Sequence, residues 1–163
     1  MKHPATGISI REANIADVAK VADVFEAAFA PLRSIYRPTA EALASQDDHL
    51  HKETRLIAEI EGQIVATVQY DQHEKYLHVI GLAVHPDFQR RGIAGCLLQW
   101  IWDHALTIGQ HAIILDTIRE TGNVPLFEKL GFRVVHEKIA TWCTSENHRQ
   151  LHDVKMERCV IES

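Results

Sequence analysis

At 163 residues, with 46% hydrophobic and 24% charged side chains, the chain has the length and composition of one soluble globular domain, able to bury about 69% of its surface on folding. Wholesale disorder, a collagen-like repeat and a coiled coil are excluded, and a net charge of −5 with histidine neutral argues against the basic surface that non-specific nucleic-acid binding requires. The 11 histidines make that charge change sign in mild acid, a property of the surface more than of a site.

Three cysteines, Cys96, Cys143 and Cys159, form no paired framework and show no C-x-x-C spacing. That suits a reducing compartment and disfavours structural zinc. Residues 1–4 lead into no apolar segment, and no run reaches the ~18 apolar residues of a membrane span. The expectation is a cytosolic protein, with no membrane association, made of one domain over residues 1–163.

Residues 8–11 alternate and predict a short strand. Asn14, with Asp17 three residues on, predicts a capped helix start. Val18, Val21, Ala22, Phe25, Ala28 and Phe29 follow at helical spacing, and Pro31 ends the run. A second, more polar helix starts at Thr39 and includes Ala42 and Leu43. Leu56, Ala58 and Ile60, the turn Glu61-Gly62, then Ile64, Ala66, Val68 and Tyr70 predict a hairpin. Residues 77–84 are nearly all apolar, as in a central strand covered on both faces. Gly81 within them marks a bulge or a close approach.

After a loop over 85–92, Ile93, Leu97, Trp100, Ile101, Ala105 and Ile108 form the apolar side of a helix stopped by Gly109. Residues 112–115 predict another buried strand. Asn123 caps a short helix with Pro125 in its first turn and Gly131 at its end. Residues 132–139 read as a strand, 141–153 as a polar loop and 154–160 as the last strand. The order β-α-α-β-β-β-α-β-α-β-β describes a mixed α/β (α+β) domain, its sheet partly antiparallel and partly crossed by helices.

The most informative segment is Gln89-Arg90-Arg91-Gly92-Ile93-Ala94-Gly95, between a buried strand and an amphipathic helix. The first amides of a helix lack internal acceptors, and the helix dipole makes that end positive. Gly92 lets the backbone curl so that successive N–H groups point to one spot. Small residues at 94 and 95 allow close approach, and two arginines add positive charge. A pyrophosphate suits such a place; a plain connection with two solvated arginines is the alternative. The absence of G-x-x-x-x-G-K-[ST] argues against a Walker-type nucleotidase. The absence of G-x-G-x-x-G after the first strand argues against a Rossmann cofactor.

Gln89-x-x-Gly92-x-Ala94, following a strand that ends Leu82-Ala83-Val84-x-Pro86, resembles the signature of the GNAT family of acyl-CoA N-acyltransferases. Asn123-Val124-Pro125-Leu126-Phe127-Glu128-Lys129-Leu130-Gly131-Phe132 is similar to the family's helix-to-strand segment, which usually ends Tyr-Glu-Lys-Leu-Gly-Phe. The order of elements matches from Ile8 to Val160. The resemblance implies a GNAT-type fold, with a central mixed and partly splayed sheet flanked by helices. It implies acetyl-CoA as cosubstrate, in a V between the strand ending at Val84 and the strand over 112–115. The pantetheine arm would pair with the backbone of Leu82, Ala83 and Val84. The pyrophosphate would meet the amides of Gln89, Arg90, Arg91, Gly92, Ile93, Ala94 and Gly95. Asn123 is similar to a residue that bonds to the cofactor arm, with helix capping as its other reading. Phe127 packs against the arm or simply fills the core.

The activity implied is transfer of an acetyl group to a primary amine, of a small molecule or a protein, by direct attack in a ternary complex. A non-catalytic or weakly catalytic CoA-binding regulatory module is the alternative, and transfer of a longer acyl group a third reading. Dimers are common in the family, so a homodimer is compatible.

The chemistry needs a neutral amine and a donor for the oxyanion, which the resemblance puts on a backbone N–H near residues 82–84. His78 is the candidate general base. It lies six residues before Val84, where family members acting on histone lysines or arylalkylamines carry Glu or His, and imidazole is suited to collecting a proton near neutral pH. A histidine bonded inside the sheet is the alternative, and Glu59 and Glu61 are weaker candidates. The family's frequent general-acid tyrosine corresponds to Phe127, which cannot donate a proton. Tyr70, Tyr76 or water would then serve.

Other groups carry less. His73 and His78 bracket a segment like a zinc-protease motif, but they are five residues apart, not four, so they would diverge on a helix, and no metal is expected there. His49 and His51 would need further ligands to chelate a metal. Asp47 and Asp48 agree weakly with a cationic acceptor. Cys96 reads as a packing residue, with a thiol near the cofactor as the alternative. Trp100 joins the apolar helix face, while Trp102 projects elsewhere, onto the sheet or a partner subunit. By family analogy the 141–153 loop, with Trp142, His148 and His152, borders the acceptor.

Overall fold

The computed structural model describes residues 7–46 and 53–161; Asp47, Asp48, His49 and His51 lie outside them. In chain order the elements are β1 (Ile8–Glu12), α1 (Val18–Phe29), β2 (Arg37–Pro38), α2 (Ala40–Gln46), β3 (Thr54–Ile60), β4 (Gln63–Gln72), β5 (Tyr76–Val84), α3 (Ile93–Thr107), β6 (Ala112–Ile118), α4 (Val124–Lys129), β7 (Arg133–Ile139), β8 (Cys143–Thr144) and β9 (His152–Cys159). Seven strands form one sheet in the order β1-β3-β4-β5-β6-β9-β7. Every neighbouring pair is antiparallel except β5–β6, which is parallel because α3 carries the chain back across the sheet. The mixed α/β architecture is the one expected.

Period-two alternation divides the central strands between two faces. Leu77 and Val79 of β5 and Ile113 and Leu115 of β6 meet Ile93, Leu97, Leu98 and Ile101 of α3 and Val124 and Phe127 of α4 in the main core. Ile93, Leu97, Leu98 and Ile101 are at most 1% exposed, and each such side chain contributes about 1.5–3 kcal/mol by leaving water. The opposite face is covered by α1, whose Phe25 packs on Gly81.

Three departures from the sequence reading concern polar segments. β2 and β8 were not expected; they pair antiparallel as a second, two-stranded sheet. The 141–153 segment is therefore not simply a polar loop: Cys143 and Leu151 are buried with Ile118 and Ala140, flanked by Tyr36 and Trp142, and β9 begins at His152. β6 continues to Ile118, because Asp116 and Thr117 pair with Lys155 and Val154 of β9 despite their polarity. Polar composition hid pairing that tertiary contacts supply.

Asn14 does start the helical segment, through one short turn ahead of α1. Its Oδ1 accepts the Ala16 N–H (2.9 Å), and Asp17 Oδ2 accepts the Asn14 N–H (2.7 Å). Because that turn shifts the phase, Val18 is exposed and Val21 and Val24 carry the buried stripe. Arg11 grips Asp17 with both terminal nitrogens (2.8 and 2.9 Å) and Glu59 with Nε (2.5 Å), which fixes the entry of α1 onto the β1–β3 edge.

The Arg11 hydrogen bonds, then the Asn14 amide, hold the Asp17 carboxyl at about 2, below its ordinary 3.8. A carboxylate lowered in the folded state contributes stability above its unfolded value and loses it as pH falls through the folded one. Urea denaturation should therefore show stability falling between about pH 4 and pH 2, with a shallower acid limb in Asp17→Asn.

Candidate functional site

The parallel pair β5–β6 is in register only from Tyr76↔Ala112 to Val79↔Leu115. Beyond that point β5 stays with β4 through Val84, and β6 stays with β9 through Ile118. Residues 80–84 and 116–118 thus separate into a fork. The β6-facing backbone groups of β5 are left without their ladder, as at a sheet edge, where an extended ligand can add as a strand. Between Ala83↔Thr67 and Ile80↔Gln69, Gly81 and Leu82 oppose Val68 alone, so β5 carries a bulge that bends it away. Gly81 has φ +62°, and a Cβ there would lie 3.2 Å from Phe25 Cζ. Glycine is required on both counts.

Past the strand end, Gln89 Nε2 donates to the Val84 carbonyl (3.0 Å) and ties the loop back to β5. Arg90 and Gly92 both take left-handed conformations (φ +64° and +79°), and α3 begins at Gly92 with no side-chain cap. Ile93 is buried and anchors the turn, so only its backbone is available to a ligand. The amides of residues 93–95 have no acceptor within the helix. Arg90 and Arg91 are exposed, the Arg91 guanidinium 5.2 Å from the Phe88 ring centre. A Cβ at Gly92 would meet nothing within 4 Å, whereas one at Gly95 would lie 3.3 Å from Leu130 Cδ2. Gly95 has a packing reason to be small, because Leu130, just past α4, lies against it.

Asn123 stands before α4, but its side chain makes no capping hydrogen bond. The residue is itself helical (φ −83°, ψ −15°), not extended as a capping residue usually is, so the capping role is not taken up. Phe127 is buried and packs edge-on against Phe132, ring centres 6.1 Å apart.

His78 lies on the face of β5 opposite Leu77 and Val79, between two aspartates that sequence reasoning missed. Its Nε2 is 3.0 Å from Asp116 Oδ2, and its Nδ1 is 3.6 Å from Asp71 Oδ1. A carboxylate only accepts hydrogen bonds, so the ring donates to Asp116 in its Nε2–H tautomer, which leaves the lone pair on Nδ1. Asp71 is the register partner of His78 on β4. Asp116 lies two residues beyond its partner Ile114 on β6. Period two from Ile114 would have put Asp116 on this face had the strand been carried past Leu115.

The remaining candidates separate clearly. Glu59 is held by Arg11, and Glu61 sits in the β3–β4 turn with φ +51°. Tyr70 is buried beside Trp100 and His104 on the α3 face, where burial pushes its hydroxyl pKa up. It is removed as a proton donor to the face of His78. Tyr76 shares that face but stacks on His73 (4.5 Å between ring centres). Cys96 is half-buried and its thiol pKa is raised by burial. Trp102 turns to the sheet, where Arg158 lies 5.1 Å over its ring. On the 141–153 segment, Trp142 Nε1 donates to Asp153 (2.8 Å), and His152 Nδ1 pairs with Glu120 (2.5 Å).

A family model described as "Acetyltransferase (GNAT) family" matches residues 20–132. The chain belongs to the GNAT family. Among solved structures, this GNAT chain is similar to the ribosomal-protein-S18-alanine N-acetyltransferase of Escherichia coli, with a TM-score of 0.76 and 17% identity over 96% of each chain. It is similar to yncA of Salmonella typhimurium, solved with its cofactor acetyl-CoA, with a TM-score of 0.70 and 20% identity over 97% of this chain and 96% of that one. A GNAT acetyltransferase from Elizabethkingia anophelis with acetyl-CoA bound gives a TM-score of 0.72 and 18% identity over 94% and 99%. At these identities the likeness is one of fold. Among curated sequences, 75 residues are 31% identical to UPF0157 protein YqkA of Bacillus subtilis (strain 168), or 44% of this chain and 21% of that protein. The chain thus spans about a fifth of the length of that curated relative. Acetyl-CoA is the cosubstrate of the GNAT family. Among the described residues no helix is long and apolar enough to cross a membrane.

Gly95→Val should cost about 1–3 kcal/mol by crowding Leu130, and Gly92→Ala about 1–2 kcal/mol through its left-handed backbone alone. Urea denaturation of both variants measures this.

Proposed function

We propose that this chain is an N-acetyltransferase acting as one domain over residues 1–163, which transfers an acetyl group from acetyl-CoA to a primary amine by direct attack in a ternary complex. The observation that carries the reading is the fork between residues 80–84 and 116–118, one loop away from the uncapped start of α3. In this reading Leu82, Ala83 and Val84 offer backbone groups to the pantetheine arm. The amides from Gln89 through Gly95 meet the pyrophosphate, with Arg90 and Arg91 adding charge, and Asn123 offers its uncommitted carboxamide. Acetyl-CoA, when bound, supplies an activated thioester. A backbone N–H of residues 82–84 donates to the carbonyl oxygen as charge develops there. His78 Nδ1 takes the proton of the attacking amine, Asp116 orients the ring through Nε2, and the carbon–sulfur bond breaks as the carbon–nitrogen bond forms, with coenzyme A leaving as a thiolate that water protonates. The core position of Phe127 favours a second reading, a CoA-binding module with weak or no catalysis, because no tyrosine stands where the family's general acid is usual.

A thermal-shift series with CoA, acetyl-CoA and ATP tests the first step. A ligand at 100 times its Kd stabilises by about 2.7 kcal/mol, so CoA and acetyl-CoA should raise Tm and ATP should not. Release of free CoA in the presence of an amine panel separates the enzyme from the binding module. Gly92→Val should raise the Kd for CoA while circular dichroism stays native; unchanged affinity counts against the phosphate assignment. His78→Ala should lower kcat about 100-fold or more with CoA affinity retained, and unaltered turnover removes it from the mechanism.

A further inference from the structure

The five-residue spacing of His73 and His78 is unsuited to one helix face, but the backbone here is not helical. His73 follows the end of β4 and His78 lies inside β5, and the hairpin between them folds the two imidazoles back onto Asp71. His73 Nε2 lies 3.1 Å from Asp71 Oδ1, and His78 Nδ1 lies 3.6 Å from the same oxygen. The three donor atoms all fall within 4.8 Å of one another. Donors around a tetrahedral zinc ion at about 2.0–2.1 Å are separated from each other by about 3.3–3.4 Å, so both short edges match to within a few tenths of an ångström.

The outer contacts also fit. Asp116 accepts the Nε2–H of His78 (3.0 Å), the carboxylate–histidine arrangement that orients a metal-binding imidazole and directs the other nitrogen to the ion. His73 is held from three sides. Its ring stacks on Tyr76 (4.5 Å, 11° between planes), its N–H donates to the Tyr76 carbonyl (2.9 Å), and its own carbonyl accepts from Gln110 Nε2 (2.9 Å).

We propose that Asp71, His73 and His78 form a binding site for a divalent ion of the zinc type, which displaces the proton His73 Nε2 shares with Asp71 in the metal-free chain, with Asp116 as the outer partner of His78 and the fourth position open. An ion there occupies the lone pair of His78 Nδ1, so metal binding inhibits acetyl transfer reversibly; this second part rests on the role proposed for His78 above.

Calorimetric titration of the metal-stripped full chain with Zn2+ is the direct test, with visible absorption of the Co2+ form reporting four-coordination. Saturable binding at one equivalent is expected. Asp71→Asn and His73→Ala should each weaken it by at least about 10-fold, and Asp116→Asn by about 10–100-fold. No saturable binding, or binding undiminished in both Asp71→Asn and His73→Ala, overturns the site. In the transfer assay His73→Ala should keep its zinc-free rate and lose inhibition by Zn2+. Inhibition equal to that of the unaltered chain overturns the regulatory part. A chain that binds zinc but transfers no acetyl group fails the functional reading and leaves the site standing; one that transfers but binds no zinc does the reverse.

Discussion

The parting of β5 from β6 after the Val79–Leu115 pair is the constraint on which the candidate site depends. Two parallel strands in the middle of a sheet would ordinarily satisfy each other along their whole length, because buried backbone groups left unbonded are costly. Here each strand keeps its outer partner and gives up the inner one. The two-against-one count at Gly81, Leu82 and Val68 produces the bend, and the contact between Gly81 and Phe25 locks it beneath α1. The start of α3 repeats the same logic, with amides that lack helical acceptors presented by the left-handed Gly92. Both unsatisfied sets stand within one connection of each other, tied by the bond from Gln89 to Val84.

The central strands sort their side chains by parity. Even positions of β5 and β6 near the junction, His78, Ile114 and Asp116, share the α1 face, and odd positions fill the core beneath α3. Polar chemistry is thereby kept on one side of a sheet whose other side is dry. The same rule places Tyr70 with the core and Tyr76 beside the histidines, which neither residue type nor sequence spacing alone conveys.

Most of the architecture was legible because its signals are local. The hairpin turn at Glu61-Gly62, the apolar run of β5 and the stop at Gly109 each declare themselves within a few residues, and the Gln89-x-x-Gly92-x-Ala94 pattern alone resembles the family's signature. What escaped was carried by distant partners. β2 and β8 are two residues each and exist through each other. Asp116 belongs to β6 because β9 pairs with it. The contact of Gly95 with Leu130, 35 positions downstream, is likewise invisible to local spacing. The convergence of His73 on Asp71 and His78 was hidden because it depends on how the turn between β4 and β5 folds back, which residue spacing does not convey.

The small β2–β8 sheet has one further implication. Pro38 pairs with Cys143, the Thr39 amide donates to the Trp142 carbonyl (2.8 Å), and Asn147 Nδ2 donates to the Ser34 carbonyl (2.8 Å). Segments about a hundred residues apart thus form a single wall near the end of β6. Exchanging the 141–151 stretch for that of a homologue would leave half of the wall mismatched. Any chimaera that exchanges the 141–151 stretch has to transplant residues 34–39 in the same step.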